Sequence, residues 1–245
     1  MQLGQPVQGE HPHESGLSVL DYFLQGKATV PPDRGFFLGE TWRMHPEICA
    51  FLSTALYDQR LAARAHTQTQ SLVLEADTAH FALRQTGLHF VPILHKNCTD
   101  SSEEEAQLVT EIYNSLLKQS YTKEGQILPI QDENILRVTH YNLQVQLLKN
   151  RLPEKARVGT IDKFQGQEAE VVIISMVTSD GESATHQMEF LYSKNRLNVA
   201  ISRAKTLALL IANPALMSVV CETPDQISLV NTFCWIKRLQ NMQNG

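Results

Sequence analysis

Short apolar runs alternate with longer amphipathic stretches along most of this chain. The run VVIISMV from Val171 to Val177 is apolar throughout and rich in β-branched residues, the pattern of a strand buried on both faces of a parallel sheet. Comparable runs predict strands at Phe36–Gly39, Leu88–Leu94, Asn134–Thr139, Arg157–Thr160 and Leu207–Ala212. Between them, apolar residues recur at helical spacing over Pro46–Tyr57, Glu103–Gln119, Asn142–Arg151 and Ser193–Ala204. A last helix is expected over Asp225–Met242, with Val230, Phe233, Cys234, Ile236 and Leu239 turned inward. Pro46 after His45 marks a helix start, and Ser101 or Ser102 can cap the helix that opens on Glu103, Glu104 and Glu105. The segment Ala62–Thr86 is polar and weakly periodic, and reads as an irregular excursion. The repeated strand-helix order predicts a three-layer α/β fold, a mainly parallel sheet covered by helices on both sides.

This pattern isolates some polar residues. TIDKFQGQE, from Thr160 to Glu168, is a glycine-containing turn that leads into the most buried strand. In the helix Ser193–Ala204, Leu197, Val199, Ala200, Ile201 and Ala204 supply the buried side. Arg196 and Arg203 are left over, two turns apart and nearly in line if the helix is continuous. A polar turn beside paired guanidinium groups is suited to meeting phosphate, because each guanidinium is always charged and can bond two oxygens at once.

Composition sets limits on this picture. With 245 residues, 42% hydrophobic and 19% charged, the chain can bury a full core and is unlike a disordered one. No apolar run approaches the roughly 18 residues that span a bilayer. MQLGQPVQGEHPHESG has neither the basic nor the apolar region of a secretory signal. The four cysteines lack CxxC spacing, which argues against a zinc site or a disulfide framework and for a reducing, cytoplasmic setting. His11 and His13 have no third ligand nearby, so no metal site is expected. The net charge of −5 excludes a wholly basic surface but leaves room for a local cationic groove.

A phosphate cradle is missing from the sequence. The GK pair Gly26-Lys27 is followed by Ala28 where a P-loop needs Ser or Thr, and Asp21 stands at the position of its first glycine. No strand ends in a paired-acid box that would hold Mg²⁺, and Gly4, Gly9 and Gly16 are too far apart for GxGxxG. That absence also counts against a dinucleotide-binding α/β enzyme.

Three runs, TWRMHPEI (Thr41–Ile48), TIDKFQGQEAEVVIIS (Thr160–Ser175) and NRLNVAISRAK (Asn195–Lys205), together resemble the C-terminal motor half of superfamily 1 helicases. The resemblance is to subgroup B, which includes the nonsense-mediated-decay helicase and Dna2-type helicases. It implies a RecA-like domain without its own P-loop, acting with ATP and with Mg²⁺ held by a first RecA-like domain of the same polypeptide. Residues 1–30 would end that first domain and link it, 31–222 would form the second, and 223–245 would be a helix packed on it.

The resemblance also implies roles for residues. Gln2 matches the glutamine that senses the γ-phosphate and the attacking water, Arg43 a γ-phosphate arginine, and Arg203 the arginine finger. Glu168 matches the glutamate that bonds the ribose, presented by the turn at Gln165 and Gly166. Trp42 replaces the usual tyrosine and still offers an aromatic face for adenine. Arg196 is expected near Arg203. Thr139, His140, Tyr141 and Gln144 match the TPYxxQ segment, with His140 in place of proline, and join Thr160 and Lys163 as candidates for backbone contact with single-stranded DNA or RNA. Translocation would run 5′ to 3′ by analogy with the subgroup. The alternative is a nucleic-acid-binding scaffold that keeps the fold without turnover.

Overall fold

A computed structural model describes residues 23–24, 26–27, 29–164, 166–179 and 188–243, with side chains described as far as 238. Gln2 and Gln165 lie outside the described residues. The centre is a five-stranded, all-parallel sheet. Its strands, numbered with the shorter ones in chain order, are β4 (Gly87–Pro92), β7 (Ile135–Thr139), β8 (Arg157–Thr160), β9 (Ala169–Ser175) and β10 (Ala204–Ala212). They lie in the order β4-β10-β9-β7-β8. The helices are α1 (Pro46–Leu56), α2 (Glu103–Leu116), α3 (Asn142–Arg151), α4 (Met188–Leu191), α5 (Lys194–Ile201) and α6 (Pro224–Gln243).

Strand alternation builds two cores. Val171 and Ile173 of β9, with Leu207, Leu209 and Ile211 of β10, face a cluster containing Val109, Ile112 and Leu116 of α2 and Leu148 of α3. Val172 and Ile174, with Ala208 and Leu210, face the other way, toward Ile48 and Leu52 of α1, Leu197 of α5 and Phe233 of α6. Every residue of β9 is buried, which is why the sequence shows an unbroken apolar run there instead of alternation. The expected three-layer α/β class is therefore present. Among the described residues, no helix is long and apolar enough to cross a membrane.

Local signals placed several boundaries well. His45 caps α1 by accepting from the Glu47 amide, and Pro46 follows at the first helical position. Ser102, rather than Ser101, caps α2 through the Glu105 amide. Other expectations are corrected. Phe36–Gly39 forms no strand; Phe36 is 99% and Leu38 83% exposed, and pairing starts only at β1 (Glu40–Thr41), which joins β2 (Ala62–Ala63). Of this run only the Gly39 carbonyl meets a strand, accepting from the Ala62 amide at 2.8 Å, so the rest has no ladder to enter.

The α5 helix stops at Ile201, so Arg203 lies beyond its end in a turn instead of on one helical face with Arg196. A hairpin that the apolar pattern did not reveal, β5 (Ser120–Lys123) and β6 (Gln126–Pro129), pairs with β3 (Leu72–Val73) in a separate antiparallel sheet. Its turn residues Glu124 and Gly125 both have positive φ, 51° and 79°, as a two-residue turn between twisted strands requires.

The TIDKFQG turn packs through a close approach. A Cβ on Gly159 would lie 2.8 Å from Phe164 Cε2 and 3.0 Å from Lys163 Cδ. Gly159→Ala should push the Phe164 ring out of place and destabilise the domain by about 1–3 kcal/mol. Urea denaturation measures this, and an unchanged midpoint would show that the turn does not depend on that contact.

Candidate functional site

Backbone hydrogen bonds draw three distant parts of the chain together at the N-terminal edge of the sheet. The Ala169 amide bonds the Arg203 carbonyl at 3.0 Å, where β9 and β10 begin, and the His45 amide bonds the Lys205 carbonyl at 2.7 Å. Their side chains then form a charged cluster. Arg43 Nε donates to Glu168 Oε2 at 2.6 Å, and Arg43 Nη1 donates to the Ser202 carbonyl at 3.0 Å. Lys205 Nζ reaches Glu168 at 3.0 Å and Glu170 at 3.3 Å. Arg203 donates from Nε to the Val199 carbonyl at 2.9 Å and from Nη1 to the Gln167 carbonyl at 3.2 Å. Gly166, with φ at +84° and open space around it, turns the chain toward Glu168.

Electrostatics follow from this packing. Burial alone would raise the Glu168 carboxyl, but hydrogen bonds from Arg43 and Lys205, with their charges, hold it below the usual carboxylate range. Glu170, more deeply buried, is raised by desolvation despite Lys205. Burial and the neighbouring Arg43 charge lower Arg203.

A cleft of about 850 Å³ opens beside this cluster, lined by Trp42, Arg43, Glu168 and Lys205 together with His66, Gln70 and the hairpin residues Thr122 and Lys123. Trp42 is 65% exposed. The Arg64 guanidinium sits 4.5 Å from the Trp42 ring centre, and the His66 ring lies 5.4 Å away. Lys205, His66 and the hairpin residues were not among the sequence candidates. The final lysine of ISRAK and the Glu124-Gly125 turn were the signals that could have found Lys205 and the hairpin.

The other sequence candidates gather at the opposite, C-terminal edge. Thr139 and Thr160 end β7 and β8 and pair in register. Tyr141 Oη lies 3.3 Å from Thr178 Oγ1, and Lys163 is exposed in the turn after β8. Here β7 leads on to β8 and β9 to β10 on opposite sides, so the strand order reverses between β7 and β9, the kind of crevice where open α/β sheets bind ligands.

Two candidates depart from expectation. Gln144 is fully buried and spends its amide on Ser102 N at 2.9 Å, the Ser102 carbonyl at 3.2 Å and Ser175 Oγ at 3.1 Å. It ties α3 to α2 and β9 and has no side-chain atom to spare for a ligand. Arg196 sits at this edge and not in the Glu168 cluster, 3.6 Å from Asp162 and with its guanidinium 4.1 Å from the Phe190 ring centre. Starting a helix at one sheet edge and ending it at the other separates two arginines that sequence spacing had placed together.

The AAA domain family matches residues 18–215. The chain belongs to that family, as a superfamily 1 subgroup B helicase domain. This helicase domain is 28% identical over 222 residues to the DNA polymerase alpha-associated DNA helicase A of Schizosaccharomyces pombe, covering 84% of this chain and 31% of that protein. It is 28% identical over 224 residues to the Regulator of nonsense transcripts 1 homolog of Drosophila melanogaster, covering 89% and 18%. To human probable helicase senataxin it is 31% identical over 180 residues, covering 67% and 6%. The helicase domain thus spans about a third or less of the length of these relatives.

His140 in the helicase domain gives a pH signature. Burial first, and the nearby Arg196 charge second, push its imidazole from 6.5 down to about 3. As pH falls below 6.5 the unfolded chain takes up a proton that the folded chain refuses until about pH 3, so the stability this group contributes is present above that window and lost through it. His140→Phe should flatten the loss of stability between neutral and mildly acidic pH by up to about 1.4 kcal/mol per pH unit. Denaturant midpoints across that range test it, and an unchanged slope would show that the histidine titrates normally.

Proposed function

We propose that this chain is the second motor domain of an ATP-dependent nucleic-acid helicase or translocase, with the nucleotide at the N-terminal sheet edge and single-stranded DNA or RNA at the C-terminal edge. The observation that carries the reading is the convergence of Arg43, Lys205 and Glu168 beside an exposed tryptophan in an open cleft, with Arg203 held behind them by the Val199 and Gln167 carbonyls. This set suits a nucleoside triphosphate. Three cations meet its charge, one carboxylate can accept from a ribose hydroxyl, and an indole face can stack on the base. Membership of a helicase family supports the same reading.

The residues present do not fit Mg²⁺. Among the described residues, no group of three or more His, Cys, Asp or Glu side chains is placed to hold a metal ion. The metal ligands and the phosphate cradle are assigned to a first RecA-like domain of the same polypeptide, and the cleft described here is then one wall of the site. In the present arrangement Arg43 and Glu168 satisfy each other. A ribose hydroxyl at Glu168 and a γ-phosphate at Arg43 would replace that pair, so nucleotide entry exchanges one charge contact for two.

Arg203 is tethered to the carbonyls of Val199 and Gln167. It would trade these neutral acceptors for phosphate oxygens as water attacks the γ-phosphorus, stabilising the charge that spreads over the transferring group. Closure of the cleft around ATP, and opening after hydrolysis, would move the nucleic-acid edge relative to the other domain.

Two outcomes are expected. The 245-residue chain alone should hydrolyse ATP negligibly, since it lacks the cradle; robust DNA-stimulated turnover would contradict the division of labour. In a polypeptide that joins it to a P-loop domain, Arg203→Ala should lower kcat by about 10³ to 10⁵ while leaving the affinity for nucleotide nearly unchanged. An unchanged kcat would remove the finger assignment.

A further inference from the structure

The β5–β6 hairpin stands outside the parallel sheet, in an antiparallel sheet of its own with β3, yet three of its residues, Thr122, Lys123 and Glu124, line the cleft beside Glu168. It is fixed there from its base. The Thr122 amide donates to the Ser71 carbonyl at 2.8 Å, the Ser71 amide donates to Thr122 Oγ1 at 2.9 Å, and that hydroxyl donates to the Thr69 carbonyl at 2.6 Å. Gln70, between Thr69 and Ser71, reaches the charged cluster instead. With its side-chain nitrogen turned toward the acceptors around it, Gln70 donates to the Arg43 carbonyl at 3.0 Å and to the Lys205 carbonyl at 3.2 Å. One short segment, 69–71, therefore ties the hairpin to the backbone that carries Arg43 and Lys205.

The cations of the cleft differ in what they already hold. Arg43 is paired with Glu168, and Lys205 is shared between Glu168 and Glu170. Lys123 is exposed, and its ammonium group forms no ion pair or hydrogen bond among the described residues. It nevertheless faces the same space. Burial raises the Glu170 carboxyl, and the charges of Lys205 and then of Lys123 act against that rise. A polyphosphate must displace Glu168 to reach Arg43, whereas at Lys123 it displaces only water.

We infer that Lys123, at the hairpin tip, is a nucleotide-binding residue whose ammonium group takes a phosphate oxygen of the nucleoside polyphosphate in the cleft. The inference rests on the reading of this cleft as a nucleotide site, and deepens it. An ammonium on a flexible stem suits the task, because it is a compact charge with three donors that can follow a phosphate chain without a fixed geometry. Glu124 stands next to it with the opposite charge, in the left-handed part of the turn. The tip thus exerts an attraction and a repulsion on the same phosphates. Both side chains are exposed, so each effect is modest and screened by salt.

The test titrates the chain with ATP, and separately with adenosine, by isothermal calorimetry at constant ionic strength. The wild type should bind ATP more tightly than adenosine. Lys123→Gln removes the charge and keeps most of the stem; it should weaken ATP about 3- to 10-fold and leave adenosine unchanged. Lys123→Arg should keep the wild-type affinity for ATP. Glu124→Gln should tighten ATP by a smaller factor, again without effect on adenosine, and it carries the test if Lys123→Gln fails to fold as judged by circular dichroism. Opposite signs from adjacent residues are the mark of charge acting on phosphate, and a tip with only a structural role would not produce them. An equal change on ATP and adenosine, or no change on ATP, would overturn the role of Lys123 while leaving the nucleotide site in place. Failure of the wild type to bind ATP would overturn the nucleotide reading of the cleft together with the part of the hairpin in it.

Discussion

A parallel sheet buried on both faces is the constraint on which the rest of this structure depends. Val171 to Ser175 are all buried, alternately against α2 and α3 on one side and α1, α5 and α6 on the other. Such a sheet has no free face on which to place chemistry, because a polar group there would be stranded among apolar side chains. Its chemistry is driven to the ends of the strands. Both charged and aromatic clusters lie there: Arg43, Glu168, Arg203 and Lys205 where β9 and β10 begin, and Thr139, Tyr141, Thr160 and Phe190 around the ends of β7, β8 and β9.

The α5 helix connects these two edges. It begins beside Arg196, which touches the aromatic cluster, and ends just before Arg203, which touches the charged one. Its eight residues span about 12 Å, and Leu197, Val199, Ala200 and Ile201 lock it to the core. Buried hydrogen bonds stiffen the far edge as well. Glu105 is fully buried and accepts from Ser175 Oγ at 2.6 Å and from the Val177 amide at 3.0 Å. Val177 has φ at +73°, and the Thr178 amide bonds the Met176 carbonyl at 2.8 Å across it. A β-branched residue seldom adopts this tight, strained turn. The Glu105 carboxylate holds it at the point where the strand order reverses.

Much of this was legible in the sequence because burial leaves a periodic trace. The β9 run, the αβ alternation and the caps at His45 and Ser102 all follow from rules that act within a few residues. The motif residues Arg43, Glu168 and Arg203 were found through resemblance, and the backbone bonds from His45 to Lys205 and from Ala169 to Arg203 show how they come together. What was missed depended on long-range contacts. Phe36–Gly39 looked like a strand but had no partner, and the Ser120–Pro129 hairpin is polar enough to hide from an apolar scan. Gln144 carried a motif signature, yet its neighbours Ser102 and Ser175, distant in sequence, claimed its amide. Helix periodicity continued past Ile201 in the sequence, while Ala204 was already committed to β10.

In the proposed function, one sheet carries two binding edges, each with its own ligand. Chemical-shift mapping on the isotope-labelled chain tests it most directly, by titrating MgATP and a short single-stranded oligonucleotide separately. Nucleotide should move the Trp42 indole and the Gly166, Glu168 and Lys205 amides, while the oligonucleotide should move Tyr141, Thr160, Lys163 and Phe190. Shifts from both ligands at the same edge, or the two sets exchanged, would contradict it.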